Sequence, residues 1–440
     1  MKVLKFGGTS VGSAQRMKDV AKLINDGGQK IVVLSAMSGT TNTLVEISNY
    51  MYKKNPEGAN DIINKLEDKY KGHLDELFST EEYKQKAWNV LKKHFDELRS
   101  YTKDLFTLFE EKSVLSKGEL ISTNMMNFYL QELGLKSILI PALEYMRTDK
   151  NNEPDPAYIQ KKLKELLELN KDADIYITQG FICRNAYGEV DNLQRGGSDY
   201  TASLVGAAIK ADEIEIWTDI DGMHDNDPRV VDKTSPVRKL HFEEAAELAY
   251  FGAKILHPTC IQPAKFANIP VRLLNTMDPS APGTMISNQT EKNKIKAVAA
   301  KDNITAIKIK SSRMLLAYGF LRKVFEIFES YQTSIDMVST SEVGVSVSID
   351  NKQHLPEILD DLKKYGIVTI DDDMCIVCVV GDLQWENIGF ESLALDAMKH
   401  IPVRMVSYGG SNYNISFLIR ESDKKAALQA LSDILFNNKK

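Results

Sequence analysis

The first 300 residues alternate short apolar runs with helix-like stretches, and this alternation most narrows what the chain can fold into. An apolar run at 3–6 ends in Gly7-Gly8, apolar residues then recur every three or four positions, and a second apolar run follows at 31–34. Strand, helix and strand in this order indicate a parallel sheet. Further strand patterns lie at 136–140, 174–178, 213–218 and 271–275, with helical patterns at 158–169, 201–211 and 242–250. We therefore predict one α/β domain over 1–295, a mostly parallel sheet sandwiched by helices.

A charged segment at about 50–113 interrupts this pattern. Its apolar residues recur at helical spacing, as at Leu91, Phe95 and Leu98, and charged residues fill many of the positions between them. We interpret it as an all-helical lobe with solvated faces, which need not carry chemistry of its own.

The last 140 residues contain an internal repeat. Asp336-Met337-Val338-Ser339 and Arg404-Met405-Val406-Ser407 lie 68 positions apart, each after a helical pattern and before an alternating strand pattern. Two small βαββ-type units, each too small to be very stable alone, are expected to pack on each other or on a partner subunit. We predict them at 304–372 and 373–440, leave an exchange of strands between them open, and interpret 295–303 as the linker that precedes them.

Composition excludes several classes of protein. The chain has 55 Lys+Arg and 61 Asp+Glu in 440 residues, a formal net charge of -6, which does not favour a nucleic-acid or membrane surface. Its longest apolar runs are about seven residues, whereas a membrane span needs roughly 20. Four cysteines form no disulfide framework, and the first residues are not typical of a signal peptide. We expect a cytoplasmic protein with no nucleic-acid or membrane partner.

Glycine-rich and polar segments follow several of the predicted strands. In an open parallel sheet, ligands bind beyond the carboxyl ends of the strands, so these segments are expected to meet at one site. Gly7-Gly8, interpreted as the opening of a helix, allows backbone amides to approach an anion, and Lys5 precedes it. The alternative is a tight turn with Ser10 as helix N-cap. The segments are Lys5-Phe6-Gly7-Gly8-Thr9-Ser10, Ser35-Ala36-Met37-Ser38-Gly39-Thr40-Thr41-Asn42, Gln179-Gly180-Phe181 and Thr218-Asp219-Ile220-Asp221-Gly222.

A second glycine loop, Arg195-Gly196-Gly197-Ser198-Asp199, also precedes a helical pattern. Arg195 offers bidentate recognition of a carboxylate, and Asp199 is suited to orienting an attacking group or its partners. A plain helix cap formed by Ser198 and Asp199 is the alternative for this motif alone. We interpret the later Asp227-Pro228-Arg229 as a nucleotide-side loop rather than a metal loop, because it lacks the glycine and distal Glu of an EF-hand.

The combined motifs resemble those of the aspartate kinase (aspartokinase) family, in order and spacing, over nearly the whole chain. The C-terminal repeat resembles the paired ACT domains of that family. The resemblance rests on Lys5-Phe6-Gly7-Gly8-Thr9-Ser10, Lys117-Gly118-Glu119, Arg195-Gly196-Gly197-Ser198-Asp199-Tyr200, Trp217-Thr218-Asp219, Asp227-Pro228-Arg229 and Gly252-Ala253-Lys254-Ile255-Leu256-His257-Pro258.

The resemblance implies a reaction and a set of residue roles. The reaction transfers the γ-phosphoryl group of ATP to the side-chain carboxylate of L-aspartate, with Mg²⁺, at the start of lysine, threonine and methionine biosynthesis. The implied catalytic residues are Lys5, Asp199 and Lys254. The implied aspartate-binding residues are Thr41, Glu119, Arg195 and Ser198. The implied nucleotide-binding residues are Lys5, Gly7, Gly8, Thr9, Ser35, Thr218, Asp219, His224, Arg229 and Lys254. No residue is assigned to a metal.

Two positions depart from the family pattern. His224 stands where the family often has Tyr, and we predict that it lies near the base or ribose of the nucleotide. Ala317 replaces a polar residue found in some relatives, so one effector contact is in doubt.

The C-terminal part resembles the lysine-sensitive form of the family. This implies L-lysine as feedback inhibitor and a homodimer or homotetramer assembled through the ACT domains. The implied effector residues are Met314, Ala317, Tyr318, Gly319, Phe320, Leu321, Ser334, Ile335, Asp336, Ser341 and Glu342. Two other functions stay open, a non-catalytic amino-acid sensor and another carboxylate kinase of the same fold.

Overall fold

The computed structural model describes residues 1–193, 196–252, 257–311 and 318–437. The chain forms two compact units, the first built from Met1–Met223 and Ile255–Asn288, the second from His224–Lys254 and Gln289–Lys440.

The first unit is a sheet covered by helices. Its strands are β1 (Lys2–Phe6), β2 (Lys30–Leu34), β3 (Ser137–Leu139), β4 (Ile175–Gln179), β5 (Ile182–Arg184), β6 (Val190–Asn192), β7 (Ile214–Thr218), β9 (Val271–Asn275) and β10 (Thr284–Ser287). Its helices are α1 (Ala14–Ile24), α2 (Thr40–Tyr52), α3 (Pro56–Leu77), α4 (Glu81–Tyr101), α5 (Leu108–Glu132), α6 (Ala142–Tyr145), α7 (Pro156–Leu169), α8 (Gly197–Ile209) and α10 (Gln262–Phe266), with a 3-10 turn at Pro258–Ile261.

The main sheet of this unit is mostly parallel, as predicted. The strand order is β3-β4-β2-β1-β7-β9-β10, and only β10 pairs antiparallel with its neighbour. The central strands β1, β2 and β4 are almost entirely buried, because helices cover both faces and the sequence is apolar nearly throughout. Sequence reasoning missed the short β5–β6 hairpin and β10, which are too brief to give a clear pattern.

The charged segment folds into helices α3 and α4 and the beginning of α5. Helices α3 and α4 bury their apolar faces, with Tyr70 and Phe95 among the largest fully buried side chains. The charged residues lie mostly on the opposite, solvated faces. Helix α5 begins at a capping box formed by Thr107 and Glu110. This long helix runs from the lobe to the sheet, so the lobe and the sheet share one apolar core.

The second unit contains a six-stranded antiparallel sheet in the order β12-β13-β11-β14-β16-β15. Its elements are β8 (Lys239–His241), α9 (Phe242–Tyr250), β11 (Ile295–Lys310), α11 (Phe320–Ser330), β12 (Met337–Ser341), β13 (Gly344–Ile349), α12 (Leu355–Lys363), β14 (Ile367–Gly381), α13 (Phe390–Ala397), β15 (Val403–Ser407), β16 (Asn414–Arg420), a 3-10 turn at Glu421–Asp423, α14 (Lys424–Ser432) and a π-helical turn at Asp433–Asn437.

The interpretation of 295–303 as a linker is wrong, because these residues form the first half of β11. That half pairs with the end of β14, whereas the second half of β11 pairs with the beginning of β14 and with β13. Each half of the sheet has its own apolar core, one packed with α11 and α12 and the other with α13 and α14. The two repeat copies therefore share two long strands, and β11 and β14 each contribute to both.

Candidate active site

The order of the strands places a crevice at the carboxyl end of β1. The next strand of the sheet after β1 is β2, on one side of β1, whereas the next after β7 is β9, on the other side, so the strand order reverses between β1 and β7. Such a reversal separates the loops that follow neighbouring strands and leaves room for a ligand. Lys5 and the Gly7-Gly8 turn lie at this point.

The glycine turn packs directly against the segment after β2. A Cβ atom on Gly8 would lie 2.9 Å from the carbonyl oxygen of Ala36, which is closer than real Cβ contacts. The Ser38 N–H donates to the Gly8 carbonyl at 3.2 Å. A side chain at Gly8 would therefore push the two segments apart.

The expectation that helix α1 opens directly at the glycine turn is wrong. The helix begins at Ala14 and its N-cap is Ser13, whose hydroxyl accepts from the Arg16 N–H. Ser10 is not the cap either, since its buried hydroxyl hydrogen-bonds Thr276 at 2.7 Å. The extra residues between strand and helix form a loop of turns, which sequence periodicity does not reveal.

Lys5 and Asp199 meet across the crevice. The Lys5 ammonium lies 2.7 Å from a carboxylate oxygen of Asp199, and both side chains are mostly buried. A Cβ atom on Gly7 would lie 3.4 Å from the Lys5 ammonium, so the turn passes close to the charge. Lys5 comes from a central strand and Asp199 from the first turn of α8, which are both rigid elements. The pair gives the site a fixed cation.

Glu119 is a buried carboxylate in the middle of α5. Its Oε1 accepts from the Ala36 N–H at 3.1 Å. Its Oε2 is buried and has no hydrogen-bond partner among the described residues. Burial raises the pKa of Glu119 to about 8, against the lowering effect of the Ala36 N–H. Such an oxygen is suited to a cationic ligand, which would supply the missing partner.

Gly118 allows α5 to approach the segment after β2. A Cβ atom on Gly118 would lie 2.6 Å from the Cβ atom of Ala36. The preceding Lys117 points to the lobe instead, and its buried ammonium pairs with Glu97 at 2.7 Å. The Lys-Gly-Glu motif thus anchors the helix on one side and presents a carboxylate on the other.

A cavity of about 350 Å³ lies between the Gly8 turn, the segment after β2, Glu119 and the start of α8. The hydroxyl of Ser35 donates to that of Ser198 at 2.9 Å, which joins the ends of β2 and α8. The predicted residues Gly8, Ser35, Thr41, Glu119 and Ser198 all line the cavity. Its wall consists of Gly8, Ser35, Ala36, Met37, Ser38, Gly39, Thr41, Asn42, Glu119, Phe181, Gly197 and Ser198. Lys5 and Asp199 are close in sequence to the lining residues Gly8 and Ser198.

Ala36 and Phe181 fall in segments that the sequence places at the site, but the sequence does not indicate what either residue does there. The backbone N–H of Ala36 binds Glu119, and no side-chain pattern indicates such a contact. Phe181 adopts a left-handed backbone conformation with φ of 67°, and its N–H donates to the Thr201 hydroxyl at 3.0 Å. The preceding glycine, Gly180, was the available signal for a close approach of chain segments.

The predicted nucleotide residues divide between the two units. Thr9, Thr218 and Asp219 belong to the first, where Thr9 follows the glycine turn and Thr218 and Asp219 follow β7. His224 and Arg229 belong to the second. There His224 Nδ1 hydrogen-bonds Thr234 at 2.9 Å.

Arg229 is an exposed side chain that forms a bidentate pair with Asp227 at 2.8 and 2.9 Å. The contact of His224 and Arg229 with a nucleotide therefore stays a prediction. Arg195 and Lys254 lie outside the described residues.

The predicted effector residues fall at the start of α11 and around β12. Gly319 is the left-handed N-cap of α11, with φ of 78°, Tyr318 before it is fully exposed, and Phe320 packs in the core with Leu321 beside it. Ser334 and Glu342 are exposed, and Ile335 packs against the core.

Two of these residues form hydrogen bonds within the unit. Asp336 accepts from Tyr250 and Lys301, and the Ser341 hydroxyl donates to the Gly344 carbonyl at 3.4 Å. Met314 and Ala317 lie outside the described residues.

In the part of the chain that the structure describes, no three His, Cys, Asp or Glu side chains are grouped as metal ligands. No helix among the described residues is long and apolar enough to cross a membrane.

Comparison with known proteins decides the family. The sequence model of the amino acid kinase family matches residues 1–275, and that of the ACT domain matches residues 377–435. Aspartokinase 1, chloroplastic, of Arabidopsis thaliana is 34% identical over 466 residues, which cover 99% of this chain and 80% of that protein. Lysine-sensitive aspartokinase 3 of Escherichia coli strain K12 is 32% identical over 460 residues, which cover 99% of this chain and 99% of that protein. The chain belongs to the aspartokinases of the amino acid kinase family.

Solved aspartokinase structures share the whole fold. The Escherichia coli aspartokinase III complex with aspartate and ADP, described as the R-state, superposes with a TM-score of 0.84 at 30% identity, covering 99% of this chain and all of that one. The complex of the same enzyme with lysine and aspartate, described as the T-state, gives 0.79 at 31% identity and 99% coverage of both chains. The aspartokinase resemblance predicted from the motifs is confirmed.

Proposed function

We propose that this aspartokinase transfers the γ-phosphoryl group of ATP to the side-chain carboxylate of L-aspartate, giving 4-phospho-L-aspartate and ADP. The observation that carries the proposal is that one site contains both a buried Glu119 carboxylate with one unpartnered oxygen and the Lys5–Asp199 ion pair, where the strand order of an amino acid kinase sheet reverses. The product is the first intermediate toward lysine, threonine and methionine.

The chemistry needs cations more than it needs a base. The aspartate carboxylate is already ionised at neutral pH, so no proton must be removed before attack. The barrier lies in bringing an anion onto the polyanionic triphosphate. Lys5 supplies positive charge to the transferring phosphoryl group, and Asp199 holds the Lys5 ammonium in place. A residue with this role matters more for kcat than for substrate affinity.

Glu119 is suited to the ammonium of L-aspartate. A protonated amine at Oε2 would give that oxygen its missing partner and would favour the ionised carboxylate. Thr41 and Ser198 line the same cavity and offer hydroxyl groups to the substrate. Arg195 is assigned to the α-carboxylate by the family motif.

The phosphates are assigned to the glycine turn. Gly7, Gly8 and Thr9 allow backbone amides to approach the triphosphate, and Ser35 lies beside them. Thr218 and Asp219 follow the neighbouring strand β7 and are assigned to the nucleotide. His224, Arg229 and Lys254 complete the assignment by the family motif.

Mg²⁺ is expected to arrive with ATP. The described residues offer no group of three acidic, His or Cys ligands, so they do not form a cage for the ion. Mg²⁺ bound together with ATP would neutralise part of the charge of the phosphates. No step proposed for the residues here depends on a protein ligand of the metal.

Feedback inhibition by L-lysine is proposed for the second unit. A relative is named lysine-sensitive, and one solved relative has lysine bound. Asp336 supplies an anion for an amine, and the helix start at Gly319 offers backbone amides. We also propose a homodimer or homotetramer assembled through the ACT domains, in the cytoplasm, where free thiols such as the four cysteines here are ordinary.

An ADP-release assay tests the proposal. The full chain is given Mg-ATP with L-aspartate, and L-glutamate is the control substrate. Release that depends on aspartate and is much weaker with glutamate supports an aspartate kinase. Release with glutamate alone would indicate another carboxylate kinase, and no release would favour a non-catalytic sensor.

A further inference from the structure

Asp336 is almost completely buried, with 1% of its side chain exposed, yet it is the residue assigned to the amine of the effector. Its Oδ1 accepts from the Tyr250 hydroxyl at 2.7 Å and from the Lys301 ammonium at 2.8 Å. Its Oδ2 is buried without a hydrogen-bond partner among the described residues. The carboxylate thus has one oxygen, Oδ1, that accepts two hydrogen bonds, and a second, Oδ2, that a further donor would satisfy.

Lys301 is shared between two carboxylates. Its ammonium lies 2.8 Å from Asp336 and 2.9 Å from Asp350, and 4.4 Å from the centre of the Tyr250 ring. Asp350 is the more accessible partner, with 41% of its side chain exposed. Lys301 can therefore release Asp336 and keep Asp350 without losing its charge partner.

The Lys301 group that pairs with the Asp336 carboxylate is itself a primary alkylammonium ion. It has the same chemistry as the side chain of free lysine and as the charge of any α-amine. Two such cations on one buried carboxylate repel each other, so an incoming ammonium is favoured only when Lys301 moves toward Asp350. Burial raises the pKa of Asp336 despite Lys301 and Tyr250, which agrees with a carboxylate that is not fully compensated.

We propose that Lys301 is a built-in competitor of the effector, whose ammonium displaces it from Asp336 toward Asp350. This inference rests on the proposed effector site. The apparent affinity of a ligand falls by the fraction of protein that is competent to bind, which here is the fraction with Lys301 withdrawn. Lys301 would thus set the effector concentration at which the site responds.

Tyr250 joins the Asp336 site to helix α9. Tyr250 ends helix α9 and shares Oδ1 of Asp336 with Lys301, so displacement of Lys301 changes the surroundings of both Tyr250 groups, the ring and the hydroxyl. Four positions later in the sequence stands Lys254, which is assigned to the phosphates of ATP.

Titration calorimetry with L-lysine on the full chain, without ATP or aspartate, tests the proposal. Lys301→Met keeps the apolar stem and removes the competitor, so Kd for L-lysine is expected to fall about tenfold. Asp350→Asn removes the carboxylate that would hold the displaced Lys301 ammonium. Kd for L-lysine is therefore expected to rise about threefold or more. Lys301→Arg keeps the charge and is expected to leave Kd within about threefold of the wild-type value.

Competition predicts that Kd for L-lysine falls in Lys301→Met and rises in Asp350→Asn. A merely structural role of these residues predicts that Kd rises in both variants, because both would disturb the site. Melting curves check that each variant is folded, and Asp350→Asn still decides the question if Lys301→Met is unstable. Equal or weaker binding by folded Lys301→Met, tighter binding by Asp350→Asn, or no binding of L-lysine by any variant would overturn the proposal. Binding is measured apart from turnover, so loss of the proposed kinase reaction would leave this result readable.

Discussion

The Lys5 ammonium and an Asp199 carboxylate oxygen lie 2.7 Å apart, with only 11% and 16% of the two side chains exposed. The ion pair joins strand β1 to helix α8 at the point where the strand order reverses. A buried cation held in this way needs no reorganisation when charge develops on a phosphoryl group.

Replacement of Lys5 is expected to remove most of the turnover. Lys5→Met should lower kcat at least about 100-fold, as for loss of one preorganised donor, with a smaller change in KM for aspartate. Steady-state ADP release measures both constants. Lys2→Met is the matched control on the same strand, since Lys2 is about half exposed and pairs with Glu215 away from the cavity. A Lys5→Met enzyme with kcat close to that of Lys2→Met would refute the role of Lys5.

Replacement of Glu119 is expected to weaken aspartate binding. Glu119→Gln loses the charge that attracts the ammonium, so KM for aspartate should rise about tenfold or more while KM for ATP changes little. Glu111→Gln, on the same helix but bound to Tyr52 at the surface, is the control. An unchanged KM for aspartate in Glu119→Gln would show that the amine binds elsewhere.

The raised pKa of Glu119 also predicts a pH dependence of stability. The unfolded carboxyl titrates near 4.5 and the folded one near 8, so the folded chain holds a proton that the unfolded chain loses. This contribution to stability is fully present below pH 4.5 and is lost as pH rises toward 8. Glu119→Gln removes it, so the melting temperature of the variant relative to wild type should rise between pH 5 and pH 8 in the absence of aspartate. A constant difference across that range would contradict the assignment.

The close approach of Gly118 to Ala36 predicts a steric effect. Gly118→Ala places a methyl group 2.6 Å from the Ala36 Cβ, so it should destabilise the fold by about 1–3 kcal/mol and raise KM for aspartate by displacing Glu119. Gly72→Ala is the matched helical control, because its Cβ meets no atom within 4 Å and the change should stabilise by up to about 1 kcal/mol. Urea unfolding and aspartate kinetics measure the two effects. A Gly118→Ala variant as stable and active as Gly72→Ala would show that the contact can relax.

The pattern of apolar residues predicted the architecture well where a segment follows a single strand or helix pattern throughout. The buried parallel strands β1, β2, β4 and β7 are continuous apolar runs, and the lobe helices repeat apolar residues at helical spacing, so both were recognisable. The first half of β11, residues 295–303, was not recognisable as a strand, because Lys296 and Lys301 break its apolar run. In the fold, ion pairs with Glu291 and Asp336 hold these two lysine side chains. Pairing with β14, which is distant in sequence, decides its conformation.

The site was predictable as a set of residue types but not as a geometry. Glycines after strands marked the crevice, and the family motifs indicated Lys5, Glu119 and Asp199. The Ala36 N–H that binds Glu119 and the left-handed Phe181 have no sequence signal of their own, since they depend on how the segments pack. The partners of Asp336 were equally hidden, because Tyr250 and Lys301 reach it from elements far away in the chain.

The most direct test of the central claim identifies the product rather than its by-product. An acyl phosphate reacts with hydroxylamine to give a hydroxamate, so the full chain with Mg-ATP, L-aspartate and hydroxylamine should form aspartate β-hydroxamate in equal amount to ADP. Glu119→Gln and Lys5→Met should lower both products together. ADP formed without hydroxamate, or hydroxamate formed equally well by Lys5→Met, would contradict phosphorylation of the aspartate side chain at this site.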